Sequence, residues 1–223
     1  MAKKLKEGLI EPSTVDREEL NDYMQTTYSG YMTEINHRFQ SLNHAKLMHS
    51  KNGGGIWGYK SVDAEFFAIQ IRMIMELIGY SVSSFEQAFR KKEVTKKQRN
   101  LYDPSEVLKN LRTSHSWPKT IHPEYKLPDI SGEKIQLYSV KYSDPNVLFT
   151  DYGKLGNILH AQQRPRTTGQ EKLQLDDLFD IAENLRTLIQ KHIIQKNGVG
   201  WCVDTTQQSE NLHISMWACA FEE

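Results

Sequence analysis

The chain has 223 residues, 38% of them hydrophobic, enough for one core of domain size, and its 28 basic residues balance its 28 acidic ones. A net charge of zero excludes a whole-molecule field that draws polyanions, so any such attraction must be local. Only Cys202 and Cys219 are present, which excludes a disulfide framework, and without CxxC spacing they make no zinc pair.

The basic start MAKKLKEGLIEPS leads into no apolar leader core, and no run of about 18 apolar residues occurs. A chain of the reducing cytoplasm, with no membrane contact, is expected. Ser13 and Asp16 can open a helix, after which Leu20, Met24, Tyr31, Ile35, Phe39 and Leu42 recur at helical spacing. This reads as one long helix or as two broken near Gly30. Asn52 and Gly53 to Gly55 end it, since consecutive glycines carry a large entropic cost in a helix.

The next helix is expected from about Asp63 into the eighties, with Phe66, Phe67, Ile69, Ile71, Met73, Ile74, Leu77 and Ile78 around nearly its whole circumference, as in a central helix. RKKEVTKKQR follows as a solvated basic run, and then a short helix, DPSEVLKNLR. Three prolines between His115 and Pro128 predict an extended connection, and the alternation over Lys134 to Tyr142 predicts a strand. Asp144 and Pro145 open a third long helix to about Ala161. A fourth carries Leu175, Leu178, Ala182, Leu185, Ile189 and Ile193 as one stripe, ending near Asn197 and Gly198. GVGWCVD and LHISMWACAF then predict an antiparallel hairpin.

On the central helix Arg72 and Glu76 are one turn apart and Glu65 lies two turns before Arg72, so the three project from one side of an otherwise apolar surface. One reading is an ion pair that fixes helix packing. Another is an arginine, oriented by Glu76, that binds an anionic group such as phosphate. In the third long helix His160 shares a face with Phe149, Gly153 and Gly156, and close approach of a neighbouring helix would account for the glycines.

Other patterns are weaker. GGGIWG fits GxGxxG at Gly53, Gly55 and Gly58, but it follows a helix where a dinucleotide site needs a strand, and Tyr59 spoils the P-loop spacing to Lys60 and Ser61. His37, His44 and His49 do not share a helix face, and neither HExxH nor GxSxG occurs, so no metal or cofactor is expected.

Two stretches, DAEFFAIQIRMIMELIG from Asp63 and VLFTDYGKLGNILHA from Val147, resemble a group of uncharacterised bacterial proteins that carry an R…E helix and a later YGxxGxxLH helix. The second pattern is similar to helices of the HEPN superfamily, the nucleotide-binding domains of higher eukaryotes and prokaryotes, common in toxin and antiphage proteins. The likeness spans about residues 15 to 197. It implies a metal-independent ribonuclease in which a histidine moves the proton and an arginine four to six residues earlier steadies the phosphate. Here Lys154 stands in the arginine's place before His160, keeping the charge without the planar fork. Arg186 to His192 and Arg38 to His44 also meet the bare spacing, as about one pair would by chance.

The expected architecture is α+β, mainly α: a HEPN-like bundle of about four long helices over residues 13–197, with an inserted strand near 134–142, and a C-terminal hairpin over 198–223 packed on it. Two functions lead, ahead of a third, a sensor that binds a nucleotide or other anion in the helical cleft without turnover. One is a defence or toxin-type domain that binds or cuts RNA with His160 as acid or base and Arg72, Glu76 and Lys154 around the phosphate, guided by Arg90, Lys91, Lys92, Lys96, Lys97 and Arg99. The other is a non-catalytic interaction or regulatory protein in which Arg72, Glu76 and His160 form a structural polar core. An RNA or another protein of the same system is the expected partner, and the hairpin edge offers a homodimer contact.

Overall fold

In the computed structural model the residues described are 17–51, 56, 60–88, 103–122, 135–159, 174–196, 199–206 and 214–220. The fold is α+β and mainly α, with a helical bundle and a small four-stranded antiparallel sheet.

The first helical run is α1 (Arg17–Tyr23), a π-helical turn over Met24–Tyr28, and α2 (Ser29–Lys51). The interruption is this wider turn and not Gly30. Its cause is legible in the buried positions Leu20, Met24, Tyr28 and Met32, which stand four apart. A 3.6-residue helix would rotate that stripe by about 40° at each step, and a turn of more than four residues removes the drift. The distorted ladder is supported by hydroxyls that donate back to carbonyls, Thr26 to Asp22 at 2.7 Å and Ser29 to Gln25.

Helix α3 (Lys60–Ala88) is the longest, at 29 residues. It starts before Asp63, which is fully buried and accepts from the Ile56 amide at 2.8 Å while pairing with His49 Nδ1 at 2.8 Å. That carboxylate ties the end of α2 to the start of α3. By length and composition Val62–Ala88, with mean hydropathy 1.2, could cross a membrane, yet half of its window is buried within the protein, as in the central helix of a bundle. Phe67, Ile71, Ile74, Met75, Ile78 and Phe85 are its buried side.

Helix α4 (Pro104–Asn110) is capped by Asp103, which accepts from the Ser105 amide at 2.9 Å, and runs into a 3₁₀ turn at Leu111–Thr113. Helix α5 (Pro145–Leu159) opens as expected, with Asp144 accepting from the Asn146 amide at 2.8 Å. Helix α6 (Leu175–Gln190) stops short of Ile193, because the chain passes directly into β2 (Lys191–Lys196).

The sheet runs in the order β1 (Lys119–Thr120), β2, β3 (Val199–Asp204), β4 (Ser215–Ala220), all antiparallel. The expected C-terminal hairpin is β3 and β4. The boundary expected at 198 falls between β2 and β3, which are paired, so β2 belongs with the sheet. Among the described residues, 135–142, the strand expected over 134–142 does not form. From that segment Leu137 makes one bridge to Ile121, and Lys141–Ser143 is a 3₁₀ turn. Residues 136–139 are all exposed, and the pairing is limited to two backbone hydrogen bonds, the His122 amide to the Gln136 carbonyl at 2.9 Å and the Tyr138 amide to the Thr120 carbonyl at 2.8 Å.

The inner face of the sheet carries His192 and Ile194 of β2 opposite Val203 and Trp201 of β3. Trp201 meets Phe85 of α3 edge to face, and His192 meets Tyr28 of the π turn. His192 is fully buried, with Nε2 at 2.8 Å from the Tyr28 hydroxyl and Nδ1 at 2.8 Å from the Ile189 carbonyl. Protonation at Nδ1 alone satisfies both contacts. Burial lowers the His192 pKa to about 4 against weaker opposing effects of the Ile189 carbonyl and Asp204, so the ring is neutral in the fold.

The unfolded chain therefore binds more protons between about pH 6.5 and 4, and stability falls as pH drops through that window, by up to about 3 kcal/mol for this group. Urea unfolding across that range should show the loss in the wild type and a flatter profile in His192→Gln. Parallel profiles would mean that His192 is not held neutral.

Candidate functional site

The polar stripe is resolved into a closed network between α3 and α5. Arg72 Nε donates to Glu76 Oε1 at 3.2 Å and Nη2 donates to the Tyr152 hydroxyl at 2.7 Å, while that hydroxyl donates to Glu76 Oε1 at 2.7 Å. The guanidinium also lies over the Tyr152 ring, 4.4 Å from its centroid. The Arg72 and Glu76 side chains are 25% and 21% exposed, half-buried rather than sealed. Burial pushes the Tyr152 pKa up to about 12, helped by the hydrogen bond to Glu76, so this hydroxyl stays protonated and donating at neutral pH.

The α5 side of the contact depends on Gly156, where a Cβ would come within 3.3 Å of Arg72 Nη1. A larger residue would press on the guanidinium. Gly153 has no neighbour within 4 Å and is exposed, so no close helix approach accounts for it. The expectation of two contact glycines is corrected to one. Glu65 is half-buried and engaged, and it takes no part in the Arg72, Glu76 and Tyr152 triangle.

Lys154 is not beside Arg72. Positions 152 and 154 differ by about 200° around a helix, and Lys154 Nζ lies 3.0 Å from Asp151 Oδ1. Asp151 is buried and also holds Lys141 Nζ at 2.9 Å and the Tyr142 hydroxyl at 2.8 Å. Burial opposes its ionisation, but hydrogen bonds from Lys141, Lys154 and Tyr142 outweigh that cost and lower its pKa. This second network, which joins the 3₁₀ turn to α5, was missed in the sequence. Asp151 three residues before Lys154 was its one visible sign. Tyr152 carries no sign in the sequence either: its ring packs in the core while its hydroxyl closes the triangle.

His160 lies outside the described residues, as do Arg90, Lys91, Lys92, Lys96, Lys97, Arg99 and the glycines of the GGGIWG segment. Of the other arginine and histidine pairs, His192 is sealed against Tyr28, whereas Arg186 stacks on Phe39 at 4.7 Å and donates to Asn43 at 2.8 Å. They form no joint site. Arg38 donates to Gln70 at 3.0 Å and pairs with Glu34 at 2.6 Å, and His44 is an exposed residue of α2. Among the described residues no group of three His, Cys, Asp or Glu side chains could hold a metal ion. Cys202 is buried and in no disulfide. Comparison with protein families, curated proteins and solved structures found no match to the chain.

Chemically, the triangle is a clamp. Each of its three groups has its polar partner in the other two, and the one charge on Arg72 is neutralised at short range by Glu76.

Removing the hydroxyl in Tyr152→Phe should cost about 1–3 kcal/mol by urea unfolding, since Arg72 and Glu76 each lose a partner in a half-buried setting. Gly153→Ala should add about 1 kcal/mol of stability by helix propensity, with Gly156→Ala gaining less because its methyl meets Arg72. Equal gains at the two glycines would mean that the guanidinium does not rest on α5.

Proposed function

We propose that the chain is a HEPN-like domain that acts through its surface and not through chemistry, as a non-catalytic interaction or regulatory component of a bacterial toxin-type or defence system. The observation that carries this reading is the closed triangle, in which the arginine best suited to a phosphate is already bonded to Glu76 and Tyr152. Lys154, the residue in the position of the ribonuclease arginine, is likewise paired with Asp151. A polar network with all its members satisfied stiffens a helix contact and leaves little to offer a substrate. The chain would work in the cytoplasm, with a protein of the same system as its partner.

The ribonuclease reading keeps one favourable observation. Arg72 Nη1 rests beside Gly156, and His160 is four residues further along the sequence. In that reading His160 is the acid or base, Arg72 turns from Tyr152 to the phosphate, and the basic run from Arg90 to Arg99 guides the RNA.

Total cellular RNA incubated in EDTA with the purified full chain, and in parallel with His160→Ala, separates the two. Intact RNA in both reactions is expected. Cleavage by the wild type that His160→Ala abolishes overturns the proposal.

A further inference from the structure

Between α2 and α6 lies a cleft of about 320 Å³, near the small end of the range for ligand sites. Asn36, Phe39 and Gln40 line it from α2 and Arg186, Ile189 and Gln190 from α6, with the same spacing of three and four on each helix. Phe39 and Ile189 are buried, whereas Gln40 and Gln190 are exposed at the opening. The hydroxyls that also line the cleft are already used within the chain, Thr205 donating to the Ile189 and Gln190 carbonyls and Thr206 to Asp204.

Two other donors there are not used. Five buried side-chain atoms of the described protein lack a hydrogen-bond partner, and two of the five belong to residues of this cleft, Asn36 Nδ2 and Arg186 Nε. A buried N–H without an acceptor is costly, and bulk water does not reach either atom. Asn36 as a whole is half-buried, and rotation about its last side-chain bond, broad for asparagine, turns Nδ2 from the wall into the cleft. Arg186 is held in place with donors to spare. Its guanidinium lies 4.7 Å from the Phe39 ring centroid and Nη2 donates to Asn43 at 2.8 Å, which engages one donor of five. Glu183 stands 3.6 Å from Nε, too far for a hydrogen bond, and its side chain is 72% exposed, so water screens that attraction.

Both orphaned atoms are donors, and the one charge among the lining residues is positive, so the group that fits is an oxygen anion. A carboxylate sets one negative charge against the one on Arg186. Phosphate brings up to two and would leave the excess uncompensated. We propose that the cleft between α2 and α6 binds a small monocarboxylate whose oxygens accept from Asn36 Nδ2 and Arg186 Nε. The site is independent of RNA, since neither cleavage nor its absence bears on whether a carboxylate binds here.

Sodium acetate, the bare carboxylate, titrated to about 0.1 M into the isotope-labelled full chain should move the NMR signals of the Asn36 side-chain amide and Arg186 Nε–H along a saturating curve. Sodium chloride of equal ionic strength should not. Acetamide, the neutral isostere, should bind at least about tenfold more weakly, and inorganic phosphate more weakly than acetate. Asn36→Leu removes a donor that has no partner in the fold, so it should melt no lower than the wild type and still lose acetate affinity by about tenfold. An unsaturating response to acetate, equal binding of acetamide, tighter binding of phosphate, or an Asn36→Leu variant that melts lower or binds acetate as well as the wild type would each overturn the proposal.

Discussion

The fold depends on how α3 is covered. A helix with apolar residues around nearly its whole circumference has to be enclosed on several sides, and the protein does this with three long helices and the inner face of the sheet. Asp63 fixes where that helix begins. A carboxylate with no exposure is tolerable because the Ile56 amide and His49 bond to it, and in doing so it sets the path from α2 into α3. At the other end Phe85 meets Trp201, so the same helix carries the sheet.

Where charge lies near this core it is used to join elements. Arg72, Glu76 and Tyr152 join α3 to α5, and Asp151 with Lys141, Lys154 and Tyr142 joins the 3₁₀ turn to α5. Neither network need add much net stability over an apolar contact of the same shape, because desolvation offsets most of the attraction. Their directional bonds instead fix the register of one helix against the other. The small side chain at Gly156 is the steric condition for the first of them, since it lets the guanidinium lie against the α5 backbone.

The helices were legible where one stripe of apolar residues kept a 3.6-residue period, as in α5 and α6, and the C-terminal hairpin was legible from its β-prone runs. What could not be read was settled by partners distant in sequence. Ile193 stands four residues after Ile189 and so extends the helical stripe, but pairing with Cys202 puts it in β2. Lys134 to Tyr142 alternates as a strand does, yet among the described residues its pairing stops at one short bridge around Ile121. Asp63 is a good helix opener by type and is instead a buried tie. The site was half legible: Arg72 and Glu76 were visible as an anomaly, but Tyr152 looks apolar by position and its role depends on a helix 76 residues earlier.

Protonation in the described protein follows from burial and hydrogen bonding. The groups whose pKa the fold perturbs move away from neutrality: Tyr23, Tyr28, Tyr80, Tyr142 and Tyr152 upward, Asp144 and Asp151 downward, and His192 down to about 4. Among the described residues the fold holds these groups each in one state, as suits bonds that hold helices together.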